Sequence, residues 1–251
     1  MSIFNLNNQI QIERIQWVRH VPWEKYNIIR AGVIPFTVRD NHVYICLGVD
    51  KQSKELTDLA GGIRETDINP LEGAIREFKE ESKEVFGEEN YRSENYLDSP
   101  CLIKKIPFKN KLDKDYHMMI IFQEVEEMFL KTALPIFNTK DVTSADEVIA
   151  LLWCSESVFK QMVYNQDNNR MYAKVKKFIA SCISFRRLMY FLKLKSSLSK
   201  NIPSFSEHII LRFDYSDLIE QKDPQCSFKR FRMDTRRPRL NLTGHTISAQ
   251  S

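Results

Sequence analysis

Apolar positions along the chain follow two periods, and the switches between them mark the elements. "IIRAGVIPFTV", residues 28–38, and "HVYICLGVD", residues 42–50, are rich in β-branched and aromatic residues and are joined by the polar turn "RDN". This pattern predicts a β-hairpin. Pro35 carries no amide hydrogen, so the first run is expected at a sheet edge or with a bulge. A polar loop, "KQSKELTD", leads through Leu59 into a Gly61-Gly62 turn. From Pro70 the period lengthens, and Leu71, Ala74, Ile75, Phe78, Ser82 and Val85 fall on one helical stripe. Asn69 reads as the N-cap of that helix, Pro70 as its first residue and Glu72 as a capping-box partner. Gly87 reads as the residue just past its C-terminus.

Two further strand-like runs follow, "CLIKKIPF" and "YHMMIIFQEV", separated by the charged turn "KNKLDKD". A loop around Pro135 is expected next, then a strand over "EVIALLWC" and a short helix over "SESVFKQMV" opened by Ser155. From about 168 to 198 the chain reads as one basic helix with Met171, Val175, Phe178 and Cys182 as its apolar stripe. No internal repeat is present. The organisation expected is an arm or short edge element over 1–27, a domain over 28–163, a basic helical extension over 164–198 and a basic, partly disordered tail over 199–251.

Composition changes this picture little and charge changes it more. With 251 residues, 43% hydrophobic and 28% charged, the chain can bury a sizeable core, which excludes collagen-like and wholly disordered architectures. Residues 1–150 hold 19 Lys and Arg against 25 Asp and Glu, net −6, whereas 151–251 hold 18 against 8, net +10. An acidic front suits cation binding, and a basic back suits phosphate-rich partners such as RNA. The five cysteines, Cys46, Cys101, Cys154, Cys182 and Cys226, show no CxxC spacing. Buried thiols in a reducing compartment are expected rather than disulfides or zinc. No signal peptide and no membrane-length apolar run is visible, so an intracellular, cytoplasmic protein is expected.

The chemistry concentrates on the first helix. Residues four apart share a helix edge, about 6 Å apart along the axis. Glu77 and Glu81 therefore project together, with Glu80 beside them. Like charges at these spacings repel by a few tenths of a kcal/mol per pair, roughly. Clustered carboxylates are what a hard divalent cation such as Mg²⁺ or Mn²⁺ takes as ligands. Gly61 and Gly62 allow the main chain to approach such an ion or a phosphate closely.

Gly62 followed by Arg76-Glu77-Phe78-Lys79-Glu80-Glu81 resembles the box of the Nudix hydrolases. That box runs glycine, five residues, Glu, seven residues, then Arg-Glu-hydrophobic-any-Glu-Glu-any-Gly-hydrophobic. The resemblance spans residues 28–163 and implies an α/β fold, an α/β/α sandwich around a mixed sheet, to which the basic helical extension is added. It also implies that the Gly61 carbonyl with Glu77, Glu80 and Glu81 holds Mg²⁺ or Mn²⁺, and that Arg76 orients the carboxylates through an ion pair. Glu147, six residues ahead of Trp153, resembles a further acidic residue of the family and is the candidate fourth ligand or general base, alongside Glu80 and Glu81. Gly62 and Arg30 are the candidate substrate contacts. The reaction implied is metal-assisted hydrolysis of a phosphoanhydride in a nucleoside diphosphate linked to another group.

The chain departs from the box at Ile68, where a Glu is expected and Asp67 stands one residue early, and at Lys83 and Glu84, where the box closes with glycine and a hydrophobic residue. A catalytic helix about one turn longer than usual, ending at Gly87 and carrying Glu84 in the extra turn, is the expectation. Lys104, Lys105 and His117 could contact substrate, and Trp23, Tyr26, Phe36 and Phe108 could stack a base, but solvated or core roles suit them better. The segment "SFKRFRMDTRRPRL", with Phe228 and Phe231 among basic residues, has the composition of an RNA contact or of a disordered tail. Two alternatives stay open: an mRNA-decapping Nudix enzyme using the basic C-terminal half, and a Nudix-fold binding or scaffold protein with little or no turnover.

Overall fold

The computed structural model describes residues 15–107, 115–141 and 143–200. Phe108, most of the turn after it, Cys226 and the basic segment with Phe228 and Phe231 lie outside the described residues. Within those described, no helix is long and apolar enough to cross a membrane.

Strand β1 (Ile15–Trp17) is the short edge element of the N-terminal arm. The hairpin comprises β2 (Ile28–Arg39) and β3 (His42–Asp50). Asp40 and Asn41 between them both take positive φ, 50° and 61°, which matches the right-handed twist of a two-residue hairpin turn. The short β4 (Leu56–Thr57) and β5 (Leu59–Gly62) follow, then β6 (Pro100–Ile106), β7 (Tyr116–Glu124) and β8 (Val148–Ser155). All eight join one sheet in the order β1-β6-β7-β2-β3-β4, with β5 on β2 and β8 on β3. The β2–β7 pair is parallel and the others are antiparallel, so the sheet is mixed.

Pro35 corrects one expectation, since β2 is central rather than an edge. On its antiparallel side, residues 30–33 pair with β5 and residues 36–39 with β3. Pro35 falls in the gap between these two partners, where a missing donor interrupts neither ladder.

Helices cover both faces. Because strand side chains alternate, Met119 and Ile121 of β7 join one core while Met118, Ile120 and Phe122 join the other. Helix α1 (Pro70–Glu81) and helix α2 (Phe129–Thr139) pack on the first face through Leu71, Ala74, Ile75, Phe78, Phe129, Ala133 and Phe137. On the second face lie α3 (Glu156–Tyr164), α4 (Ala173–Cys182) and α5 (Phe185–Lys200), which bury Phe159, Val175, Phe178, Ile179, Cys182, Leu188 and Leu192. The architecture is an α/β/α sandwich. Cys46, Cys101 and Cys154 are buried free thiols, and Cys182 is buried as well.

Three helical expectations are corrected. The region around Pro135 is helix α2, held by its buried stripe at four-residue spacing, with Pro135 itself on the exposed side where water can serve the carbonyl it leaves unpaired. The basic helix is two helices, because Ile183 is extended (φ −155°, ψ 146°) and turns α5 back onto the sheet. The backbone beside Met171 bonds to β4, through Leu56 N to Arg170 O and Tyr172 N to Leu56 O, both 2.8 Å, so α4 begins only after it.

Helix α1 ends at Glu81, not a turn later. The Glu84 amide donates to the Lys79 carbonyl and the Lys83 amide to the Glu80 carbonyl, both at 3.2 Å. Lys83 and Glu84 take φ of 52° and 60°. These bonds are a Schellman motif, and Lys83 occupies the left-handed position that normally takes glycine. Ser82 and Val85 stay buried through the turn, so the apolar stripe outlasts the helix that predicted it. Glu84 faces Lys79 outside the carboxylate group.

Candidate active site

The site forms where α1 crosses β5. Asn69 starts the helix as expected, its side chain accepting from the Leu71 and Glu72 amides at 2.9 and 3.1 Å. The register β5 makes with β2 sets Gly61 opposite Ala31 and Gly62 opposite Arg30. A Cβ on Gly61 would stand 2.3 Å from the Glu77 carboxyl carbon. Only glycine lets Glu77 lie against the strand there. Gly73, which the sequence reading passed over, has a similar duty: a Cβ would come within 2.8 Å of Asp67 Oδ2 and 2.6 Å of Ile63.

Arg76 ties the elements together. Its Nε and Nη2 donate to the two oxygens of Asp67 at 3.0 Å each, and Nη2 also donates to the Gly62 carbonyl at 3.0 Å. Its Nη1 donates to Glu77 and, at 3.5 Å, to Glu80. A bidentate guanidinium–carboxylate pair fixes direction as well as charge. The Arg76 hydrogen bonds, with the Arg64 amide at 2.8 Å, hold the Asp67 carboxyl below its usual range. Asp67 therefore takes the arginine-facing place, and Ile68 points into solvent, 90% exposed.

Glu81 differs from its neighbours. It is largely buried and accepts from the Ala60 amide at 2.6 Å. Burial, then the charges of Asp58, Glu77 and Glu147, push its carboxyl up to about 9, against the partial opposition of the Ala60 bond. Glu147 thus reaches the group electrostatically; it sits just before β8, its carbonyl accepting from the Lys51 amide at 2.7 Å. Glu80 is half-exposed and faces Arg64, with contacts at 3.2 and 3.4 Å.

The structure thus brings Gly61, Gly62, Arg76, Glu77, Glu80 and Glu81 together, with Glu147 adjoining. Arg30 is close, but its guanidinium is engaged by buried Asp58 at 2.7 and 2.9 Å. Asp58 was missed in the sequence, although a charged residue between Leu56 and Leu59 at the β4–β5 junction signals a buried partner. Lys104 donates to Ser181, Lys105 pairs with Asp115, and Phe36 is core. His117 packs edge-on against Tyr26 with ring centroids 5.2 Å apart, and Trp23 and Tyr26 pack against the first core.

As a donor set the carboxylates and glycine main chain suit a hard cation. Among the described residues no three acidic, His or Cys side chains already converge as a metal cage. Arg76 and Arg64 supply the positive charge on Glu77 and Glu80 instead.

No family model and no curated protein matches the chain. Among solved structures, an Ap4A hydrolase from C. elegans in a binary complex is similar at 15% identity and TM-score 0.38, over 65% of this chain and 96% of that one. A protein from Listeria monocytogenes described as a NUDIX hydrolase is similar at 17% identity and TM-score 0.39, over 67% and 96%. The NUDIX domain of Shewanella oneidensis NrtR, complexed with ADP ribose, is similar at 11% and 0.37, over 65% and 88%. At TM-scores below 0.5, these likenesses assign neither family nor function to this chain.

Proposed function

We propose that the protein is a Nudix-type hydrolase that cleaves a phosphoanhydride bond in a nucleoside diphosphate linked to another group. The observation that carries this reading is the seating of Glu77 on Gly61, where no side chain fits, beside Glu80 and Glu81 on the same helix edge. Mg²⁺ or Mn²⁺ would be held by Glu77, Glu80, Glu81 and the Gly61 main chain. When bound, such ions neutralise a diphosphate and acidify a water for attack at phosphorus.

The chain's own residues divide the remaining work. Arg76, anchored on Asp67 and the Gly62 carbonyl, keeps Glu77 directed at the strand turn. Glu81 holds a proton at neutral pH in the ion-free protein and gives it up as a cation binds, which makes binding tighter at higher pH. Arg64, exposed on the loop before α1, is freed for a substrate phosphate once Glu80 has another positive partner. Arg30 holds the buried Asp58 carboxylate by two hydrogen bonds and so fixes the charge that acts on Glu81. Glu80, Glu81 and Glu147 are the candidates to accept the proton of the attacking water.

The test is phosphate release from a panel of phosphoanhydrides, including Ap4A, ADP ribose and capped RNA, with Mg²⁺ or Mn²⁺ and with chelator. Ion-dependent cleavage of at least one is expected. Cleavage of capped RNA alone would select the decapping form of the reading. Silence across the panel would overturn the hydrolase and leave a binding protein.

A further inference from the structure

We propose that Lys83 is a positioning residue, a latch that holds the Glu147-bearing segment against the C-terminal end of α1. The catalytic consequence rests on the hydrolase reading; the latch itself does not.

The Schellman turn requires a left-handed residue at position 83, where a Cβ is disfavoured and glycine is the usual solution. The lysine side chain that stands there is 11% exposed, so it does not simply reach into water. Its Nζ lies 2.8 Å from Asp146 Oδ2, donates to the Asp141 carbonyl at 2.8 Å and sits 5.0 Å from the Phe137 ring centre of α2. An ammonium with a carboxylate, a carbonyl and an aromatic face around it is satisfied in one place only.

The other end of the contact is equally tied. Asp146 accepts from the Thr143 amide at 2.8 Å and from its hydroxyl at 3.0 Å. From the sheet side, Lys51 Nζ donates to the Thr143 and Ser144 carbonyls at 3.0 and 3.1 Å, and the Lys51 amide donates to the Glu147 carbonyl. Glu147 is the residue after Asp146. Its backbone is thus set from one side by the end of β3 and from the other by Lys83, in the turn that follows α1. The two carboxylates that influence each other are carried on segments joined by one lysine.

The test uses the full chain as wild type, Lys83→Gly, Lys83→Arg and Asp146→Asn. Glycine suits the left-handed turn, so Lys83→Gly should melt at or above the wild-type temperature, which separates positioning from folding. Hydrogen exchange is read by NMR at the Lys51 amide, which reports on the Glu147 carbonyl, and at the Thr143 amide, which reports on Asp146. In Lys83→Gly and Asp146→Asn exchange at Lys51 should quicken about tenfold, and kcat on the best phosphoanhydride should fall about tenfold with KM nearly unchanged. Lys83→Arg should restore both. Unchanged exchange at both amides overturns the latch whatever the activity, and faster exchange with unchanged kcat overturns the positioning role. Should the wild type cleave no phosphoanhydride, the hydrolase reading falls while the exchange result still decides the latch.

Discussion

At the scale of single residues, Glu81 is where fold and chemistry meet. Its carboxyl is held at about 9 in the folded, ion-free protein against a reference of 4.5. The folded state therefore keeps a proton that the unfolded state has lost, and stability falls as pH rises from about 4.5 to about 9. Glu81→Gln removes that slope. The variant's melting temperature, measured without divalent ions, should exceed that of wild type by a margin that widens from pH 5 to pH 9; parallel profiles would contradict the assignment. Much of this site was legible beforehand, because Gly61, Gly62, Arg76, Glu77, Glu80 and Glu81 are fixed by a short spacing on one strand turn and one helix. Asp67 was legible only as an irregularity at Ile68. Which of two neighbouring residues faces Arg76 depends on the loop's path, and Gly73 leaves the room that Asp67 takes. Asp58 and Arg64 were not foreseen, since their partners, Arg30 and Glu80, are 28 and 16 residues distant in the chain.

At the scale of elements, α1 is held by its two ends and one buried stripe. Asn69→Ala removes the acceptor for two amides and should cost about 1 kcal/mol in denaturant unfolding, with Asn69→Asp nearly neutral. The start of this helix could be read from sequence because caps are local. Its end could not, because the buried stripe continues through Ser82 and Val85 while the backbone has already turned at Lys83. Helix α2 was hidden for the opposite reason. Pro135 reads as a break, yet the packing of Phe129, Ala133 and Phe137 outweighs the single carbonyl it leaves to water. The break at Ile183 lay within an unbroken apolar and basic pattern, and only the need of α5 to return to the sheet reveals it.

For the whole molecule, the strands were placed by their alternation and by the hairpin turn, and the second helical layer by the Val175, Phe178 and Cys182 stripe. Read as a basic helical extension over 164–198, this region buries Val175, Phe178, Ile179, Leu188 and Leu192 against the sheet face opposite α1. Phe178→Ala should therefore behave as a core substitution, lowering unfolding free energy by about 3–5 kcal/mol rather than leaving stability unchanged as a solvated surface residue would. The sheet between the two layers sets β5 and its glycines in register with β2, against α1. In the proposed reaction, this arrangement cleaves phosphoanhydrides through the carboxylates of α1. Its most direct test is kcat for wild type and Glu81→Gln on the best substrate of the panel at saturating Mn²⁺. A fall of about 10²- to 10⁴-fold is expected in the variant; equal rates, or no turnover by either protein, would rule out hydrolysis through these carboxylates.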